Sequence, residues 1–448
     1  MRFPLQSILI DKKINKLFSF LRTRLVKNSL YTGLALIFIG LTPFIFNFLV
    51  GRTFGAETLG SINITISFCL IITIFITNFF GSAGNKYLAE YRGRKDLNNF
   101  IYTFKIMFFG SGIALIIIGI ILYLKWNYFF AKFSLPENLL GPIILYLFMR
   151  TSYILLRRSM YGMDLVKPYA FNEIISALFM LGMIIYVCFR YTPNLLIHTY
   201  LVSYFIFLML SVNTFIKYFK SIKASMEKKN SFSRNNLIIK FSNYGLVSMI
   251  GTVASTGTGY LSVIITGIYL SHSEAGIYTA VLSFVSILMF FPKLFIQVFL
   301  PEFSKLFGEG NKERIVQIFK QTSLILFLFS LVTCLALFFL GDKILILFGQ
   351  DFASGVIILK IILPSIFIRM ISIPCNAFLS GTKYILYPNV GGLIIFSVSS
   401  LCWFLLVPIY QEVGIAMGYS LGIIMGIGYQ IVITIFKLKS FISNNEKI

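Results

Sequence analysis

Apolar residues run in twelve membrane-length stretches, at roughly residues 29–50, 61–81, 106–124, 139–156, 169–189, 197–216, 243–268, 277–300, 321–340, 355–380, 389–408 and 414–436. A helix needs about twenty such residues to cross a bilayer, whereas a transmembrane barrel shows alternating segments of about ten. One polar interruption stands out, KYFKSIKASMEKKNSFSRNNLIIK at 217–240, with seven Lys or Arg against one Glu and six runs on either side. The pattern predicts an all-α membrane protein whose twelve transmembrane helices form two six-helix lobes around a central cavity. The expected organisation is a basic leader (1–28), an N-terminal lobe (29–216), a basic linker (217–242), a C-terminal lobe (243–436) and a tail (437–448).

Charge fixes the expected orientation. With both termini in the cytoplasm, the inner segments hold thirty Lys and Arg and the outer segments five, Arg52, Lys125, Lys132, Arg190 and Lys343. So large a bias follows the positive-inside rule, and an odd number of spans would spoil it. The net charge of +23 therefore reflects membrane topology, and no nucleic-acid partner is expected. A composition that is 57% hydrophobic and 12% charged agrees, since a soluble chain could not hide that much apolar surface. In the leader, Ile10, Ile14, Leu17, Leu21 and Leu25 recur at helical spacing among basic residues. That fits either a helix on the inner leaflet or a disordered basic tail, and not a cleavable signal.

No loop is long enough to fold as a catalytic domain, and no GxxxxGK[ST] loop is present, so neither an enzyme nor a nucleotide-driven pump is expected. The five cysteines lie within apolar runs without paired spacing, so no disulfide, metal or cofactor is expected. His198 and His272, at outer helix ends, read as interfacial side chains rather than a metal or proton relay. The two halves are faintly alike at a shift of 216 residues, pairing Gly51 with Gly267, Gly60 with Gly276, Ser67 with Ser283 and Phe68 with Phe284. Halves of six spans each would be parallel repeats about an axis along the membrane normal.

Charges within spans are expensive and so become functional candidates. Tyr146, Arg150, Tyr153 and Arg157 make one aromatic and basic stripe down the fourth span, and Arg150 lies too deep to snorkel easily. Arg369 lies between Pro364 and Pro374 in the tenth span, and Lys293 follows Pro292 in the eighth. Lys360 sits near enough to an outer end to snorkel. Glu173, the lone carboxylate within a span, is open to two readings, a coupling proton site or a partner of Arg157 or Arg158, and the pair is favoured. Ser248, Thr252, Ser255, Gly259, Ser262 and Thr266 form a small polar stripe on the seventh span, suited either to close helix packing or to lining a hydrated path. Several buried bases against one acid favour an anionic substrate over a cationic drug, and guanidinium groups suit phosphate oxygens.

Five stretches carry a family likeness: VGRTFGAETLGSINI (50–64), FFGSAGNKYLAEYRGRKDLNNF (79–100), TGIYLSHSEAGIYTAVLSF (266–284), FFPKLFIQVFLPEFSKLFGEGNKE (290–313) and LFGQDFASGVIILKIILPS (347–365). In these the chain resembles the Wzx-type polysaccharide-export flippases, relatives of the multidrug and toxin extruders, over about its whole length. The resemblance implies alternating access by two lobes. It also implies movement of undecaprenyl-diphosphate-linked oligosaccharide across a bacterial cytoplasmic (inner) membrane, for O-antigen or capsule biosynthesis. A polysaccharide polymerase and chain-length proteins are further partners it implies. Relatives often carry an Asp in the seventh span where this chain places Ser262, and the chain lacks the two extra spans of the lipid II flippases. The expected substrate site is then Arg150 and Arg369 with Lys293, Arg157, Tyr146 and Tyr153. Glu173 is the candidate for ion coupling, and Ser248, Thr252, Ser255 and Ser262 the candidate cavity lining. The rival reading is an ion-coupled multidrug or organic-cation antiporter.

Overall fold

The computed structural model of the chain describes residues 24–225, 234–289, 312–382 and 386–443, with Pro292, Phe303, Leu306 and Tyr384 between them. The leader to residue 23, Lys293 and most of the basic linker lie outside the described residues. Among the described residues nine helices are long and apolar enough to cross a bilayer. Two of them are hairpins.

The first, Arg24–Gly93, bends at Gly55, whose φ of 83° is a conformation that favours glycine. Asn47 and Asn63, equally far from Gly55 on either side, hydrogen-bond at 3.0 Å, which a straight helix could not allow. The first and second spans therefore run antiparallel. The last helix, Leu386–Ser443, turns at Gln411 in the same way: the Trp403 indole donates to the Ile415 carbonyl at 3.0 Å. Between these hairpins lie Leu97–Leu124, Leu140–Gly162, Val166–Arg190, Leu196–Ser225, Arg234–Tyr269, His272–Leu288, Lys312–Ile346 and Gly355–Ile371. Counting each hairpin twice and adding His272–Leu288, a 17-residue helix outside the nine, gives twelve spans in the expected order.

The spans pack as membrane helices do, through small residues and aromatic rings, because lipid offers no hydrophobic drive between helices. The third span, Leu97–Leu124, turns Ile113, Ile116, Ile117 and Ile120 outward, which suits acyl chains and would be untenable in water. At the face away from the basic loops, the second and eighth spans cross on Gly60 and Gly276. A Cβ on Gly60 would meet the His272 carbonyl and lie 2.7 Å from the Gly276 nitrogen; one on Gly276 would meet the Ala56 carbonyl and lie 3.0 Å from the Gly60 nitrogen. The two glycines aligned by the 216-residue shift thus touch each other reciprocally, as residues beside a pseudo-two-fold axis do.

The tenth span is broken, as its prolines predict. Gly355–Ile371 contains Pro364, and after Ser372 the chain resumes as a short helix, Ile373–Gly381, with Pro374 in its first turn. The break falls three residues beyond Arg369, which lines the cavity that both halves wall.

Candidate functional site

The interlobe cavity has a volume of about 610 Å³ and is walled by both lobes. Its polar wall includes Asn47, Asn63 and Ser67 from the first two spans, Arg150 and Arg157 from the fourth, and Ser283 and Arg369 from the C-terminal half. Asn63 donates to Asn47, and Asn47 donates to Ser283 at 2.8 Å, so a buried polar chain links the lobes. Where the shift of 216 residues pairs Ser67 with Ser283, both members line this one space.

The bases are held by phenols. Arg150 donates to the Tyr204 hydroxyl at 2.8 Å, and its guanidinium carbon sits 5.3 Å and 5.5 Å from the ring centres of Tyr204 and Tyr153. Tyr146, also on the wall, meets Tyr204 at 3.4 Å between hydroxyls. Across the cavity Arg369 donates to the Tyr419 hydroxyl at 3.4 Å. The arrangement repeats: an arginine on the fourth span of each half meets a tyrosine on the sixth of the same half. Among the described residues none of Arg150, Arg157 and Arg369 forms an ion pair, whereas Arg92–Asp164 (3.8 Å) and Arg94–Glu90 (2.7 Å) do so at the basic face. Guanidinium groups in such a cavity, with no carboxylate among the described lining residues, retain free charge and unused donors.

Sequence reading missed Tyr200, Tyr204, Tyr260 and Tyr419 on this wall. Their one signal is the i, i+4 spacing of Tyr200 and Tyr204, which reads equally well as core.

Glu173 stands behind the cavity, 5% exposed, where its carboxylate accepts from the Tyr153 hydroxyl. Its other oxygen has no partner among the described residues. Arg157 reaches Tyr153 at 3.4 Å, so the favoured Glu173–arginine pair is replaced by a relay through the phenol. Arg158 turns the other way and donates to the Thr77 carbonyl, Ser82 and Asn78 at 2.6–2.8 Å, pinning the fourth span to the second. One residue along a helix is a rotation of about 100°, enough to separate a cavity base from a structural one.

The seventh-span stripe is split. Ser248, Thr252 and Ser255 line a second chamber of about 450 Å³ that shares Arg369 and Met289 with the central cavity. Ser262 lines neither chamber. It is fully buried and donates to the Gly259 carbonyl at 2.7 Å, because from there on the span packs against the second, Gly267 facing Ile64. Lys360 lies over the Phe338 ring at 5.0 Å, away from both chambers. His198 and His272 share a third pocket at the far face, and His272 meets the Ser134 carbonyl at 3.0 Å. No cluster of three metal-ligating side chains is found among the described residues.

A family model described as polysaccharide biosynthesis protein matches residues 25–307, more than half of the chain. The chain belongs to the polysaccharide biosynthesis protein family. A second model, MatE, matches residues 247–407 of this family member. No curated protein matches it. Among solved structures it is similar to an inward-facing multidrug resistance MATE family transporter of the MOP superfamily (TM-score 0.73, 10% identity, 93% of this chain and 96% of that one). It is also similar to the lipid II flippase MurJ in an inward closed conformation (TM-score 0.63, 14% identity, 93% and 90%). A third is a MOP superfamily transporter from Pyrococcus furiosus Vc1 for which a binding pocket of reverse polarity is described (TM-score 0.64, 12% identity, 95% and 98%). At such identities the likeness is one of fold: a multi-pass membrane protein built as these two-lobed transporters are.

Proposed function

We propose that this chain is a flippase for undecaprenyl-diphosphate-linked oligosaccharide units, acting by alternating access between its lobes in surface polysaccharide (O-antigen or capsule) biosynthesis. One observation carries the reading. Arg150, Arg157 and Arg369 face one cavity from both lobes, held by tyrosine hydroxyls and by no carboxylate among the described residues. A diphosphate supplies the missing negative charge, and two guanidinium forks on opposite walls match its oxygens. The lipid tail stays in the bilayer while the sugar crosses inside. Charge, not buried area, discriminates here, since each desolvated cation lacks a counter-ion until substrate arrives.

In this reading the basic segments lie in the cytoplasm, and the membrane is the bacterial inner membrane. Glu173, joined to Arg157 through Tyr153, is the carboxyl placed to sense loading of the site and is the candidate for ion coupling. Lys293 would assist from the eighth span, and a polymerase and chain-length proteins would receive the product. The MatE match favours a second reading, an ion-coupled multidrug or organic-cation antiporter. A cavity whose ionised groups are guanidinium speaks against a cationic cargo.

Deletion of the gene tests the proposal. Lipid-linked oligosaccharide should build up in the inner leaflet, shielded from a membrane-impermeant lectin added outside. Accumulation in the outer leaflet, or none, would rule out the flippase.

A further inference from the structure

The second chamber shares only Arg369 and Met289 with the central cavity, and its other polar groups are uncharged among the described residues. Its wall brings hydroxyls from the seventh span together with Ser372 and Asn376 beyond the tenth-span break, and with the amides of Asn389 and Gln430 from the last hairpin. Among the described residues its lining carries, apart from Arg369 at the junction, no Lys, Arg, Asp, Glu or His.

The hydrogen bonds already made define what the wall has left. Thr252 donates to the Ser248 carbonyl (3.1 Å), Ser255 to the Gly251 carbonyl (2.9 Å) and Ser372 to the Arg369 carbonyl (2.9 Å). Each hydroxyl has used its proton on its own helix and retains lone pairs. Ser380 donates to Asn376 Oδ1 at 3.1 Å, which leaves the two amide protons of Asn376. Gln430 is only 6% exposed and touches the Pro388 carbonyl at 3.4 Å, while its own carbonyl oxygen accepts no hydrogen bond among the described residues. That oxygen belongs to a residue on the chamber wall and is available to accept from a group that enters. Acceptors and amide donors interleaved with aliphatic side chains such as Ile395 and Ile427 match a pyranose, which offers hydroxyls at its edge and C–H groups on its faces. The volume is that of a small-ligand pocket.

We infer that this C-terminal chamber is the docking site for an uncharged sugar ring, the one joined directly to the diphosphate held at Arg369. The inference rests on the flippase reading and adds to it a place and a chemistry for the saccharide. Arg369 and Met289 border both spaces, so a phosphate at Arg369 puts its attached ring at the chamber mouth.

Binding to the purified full-length protein in nanodiscs tests it, using farnesyl diphosphate and farnesyl diphosphate bearing one glucose as probes. In the wild type the sugar should tighten binding about tenfold, the worth of one or two net hydrogen bonds. Asn389→Leu/Gln430→Leu should lose that increment and keep the affinity for farnesyl diphosphate alone. Thr252→Val, nearly isosteric, should lose part of it and guards against a misfolded double variant. A sugar that adds nothing in the wild type, or an increment that survives both variants, overturns the chamber assignment and leaves the flippase standing. Wild-type protein that fails to bind farnesyl diphosphate removes the flippase reading and the chamber with it. An increment that appears without sugar when choline is replaced by sodium would make the chamber a cation site, and the inference would fall.

Discussion

The two lobes share a plan and differ in what surrounds it. In the N-terminal half Arg150 donates to Tyr204 at 2.8 Å amid further aromatic and ionisable groups: Tyr146, Tyr153, Arg157 and, one layer back, Glu173. In the C-terminal half Arg369 reaches Tyr419 at a looser 3.4 Å and borders hydroxyls and amides. One wall gathers two arginines and several phenols, and the other sets a single arginine among uncharged polar groups. The arginine–tyrosine pair recurs in both halves, and Gly60 and Gly276 seat on each other reciprocally at the far face. The difference teaches that a shared fold supplies the geometry, while the side chains around each copy set its chemistry; in the proposed reading they divide the diphosphate from the sugar.

Substitutions in both lobes would break or sharpen that contrast. Arg150→Ala should abolish export with expression and insertion intact, as should Arg369→Ala, since each removes a cation from a site whose other members cannot replace it. Normal export in either variant would take that arginine out of the site. Arg150→Lys should retain some activity, because charge survives but the planar fork does not.

Gly60→Leu comes next. Its side chain would enter the backbone of the eighth span, and overpacking of this kind typically costs about 1–3 kcal/mol, visible as a lower melting temperature in detergent. An unchanged melting temperature would mean that the crossing is not a tight joint.

The tyrosines test the asymmetry itself. Tyr204→Phe removes a well-formed hydrogen bond to a charged group, worth about 1.5–3 kcal/mol, and should slow export about tenfold or more. Tyr419→Phe removes a longer contact and should matter less. Equal effects would show that the lobes hold their arginines alike. Ser262→Ala should be close to silent for export, because that hydroxyl donates to the Gly259 carbonyl and lines neither chamber.

Much of this was legible in the residues. Twelve apolar runs, the thirty-to-five bias and the stripe Tyr146–Arg150–Arg157 follow from composition and helical period, and the break beside Arg369 follows from its flanking prolines. The rest depended on which way side chains turn within uniformly apolar helices. Tyr204 and Tyr419 look like core until the arginines are placed beside them. Arg158 sits next to Arg157 in sequence but faces the second span, and Ser262 continues a stripe that the cavity abandons. Periodicity gives faces and cannot say which face meets a neighbour when every face is greasy.

The claim that a cationic interlobe cavity takes a lipid diphosphate is tested most directly by transport in proteoliposomes. Purified protein should move a polyprenyl-diphosphate-linked sugar to the opposite leaflet, Arg150→Ala/Arg369→Ala should not, and neither should move tetraphenylphosphonium. Uptake of tetraphenylphosphonium by the wild type, with the lipid-linked sugar left in place, would contradict the account.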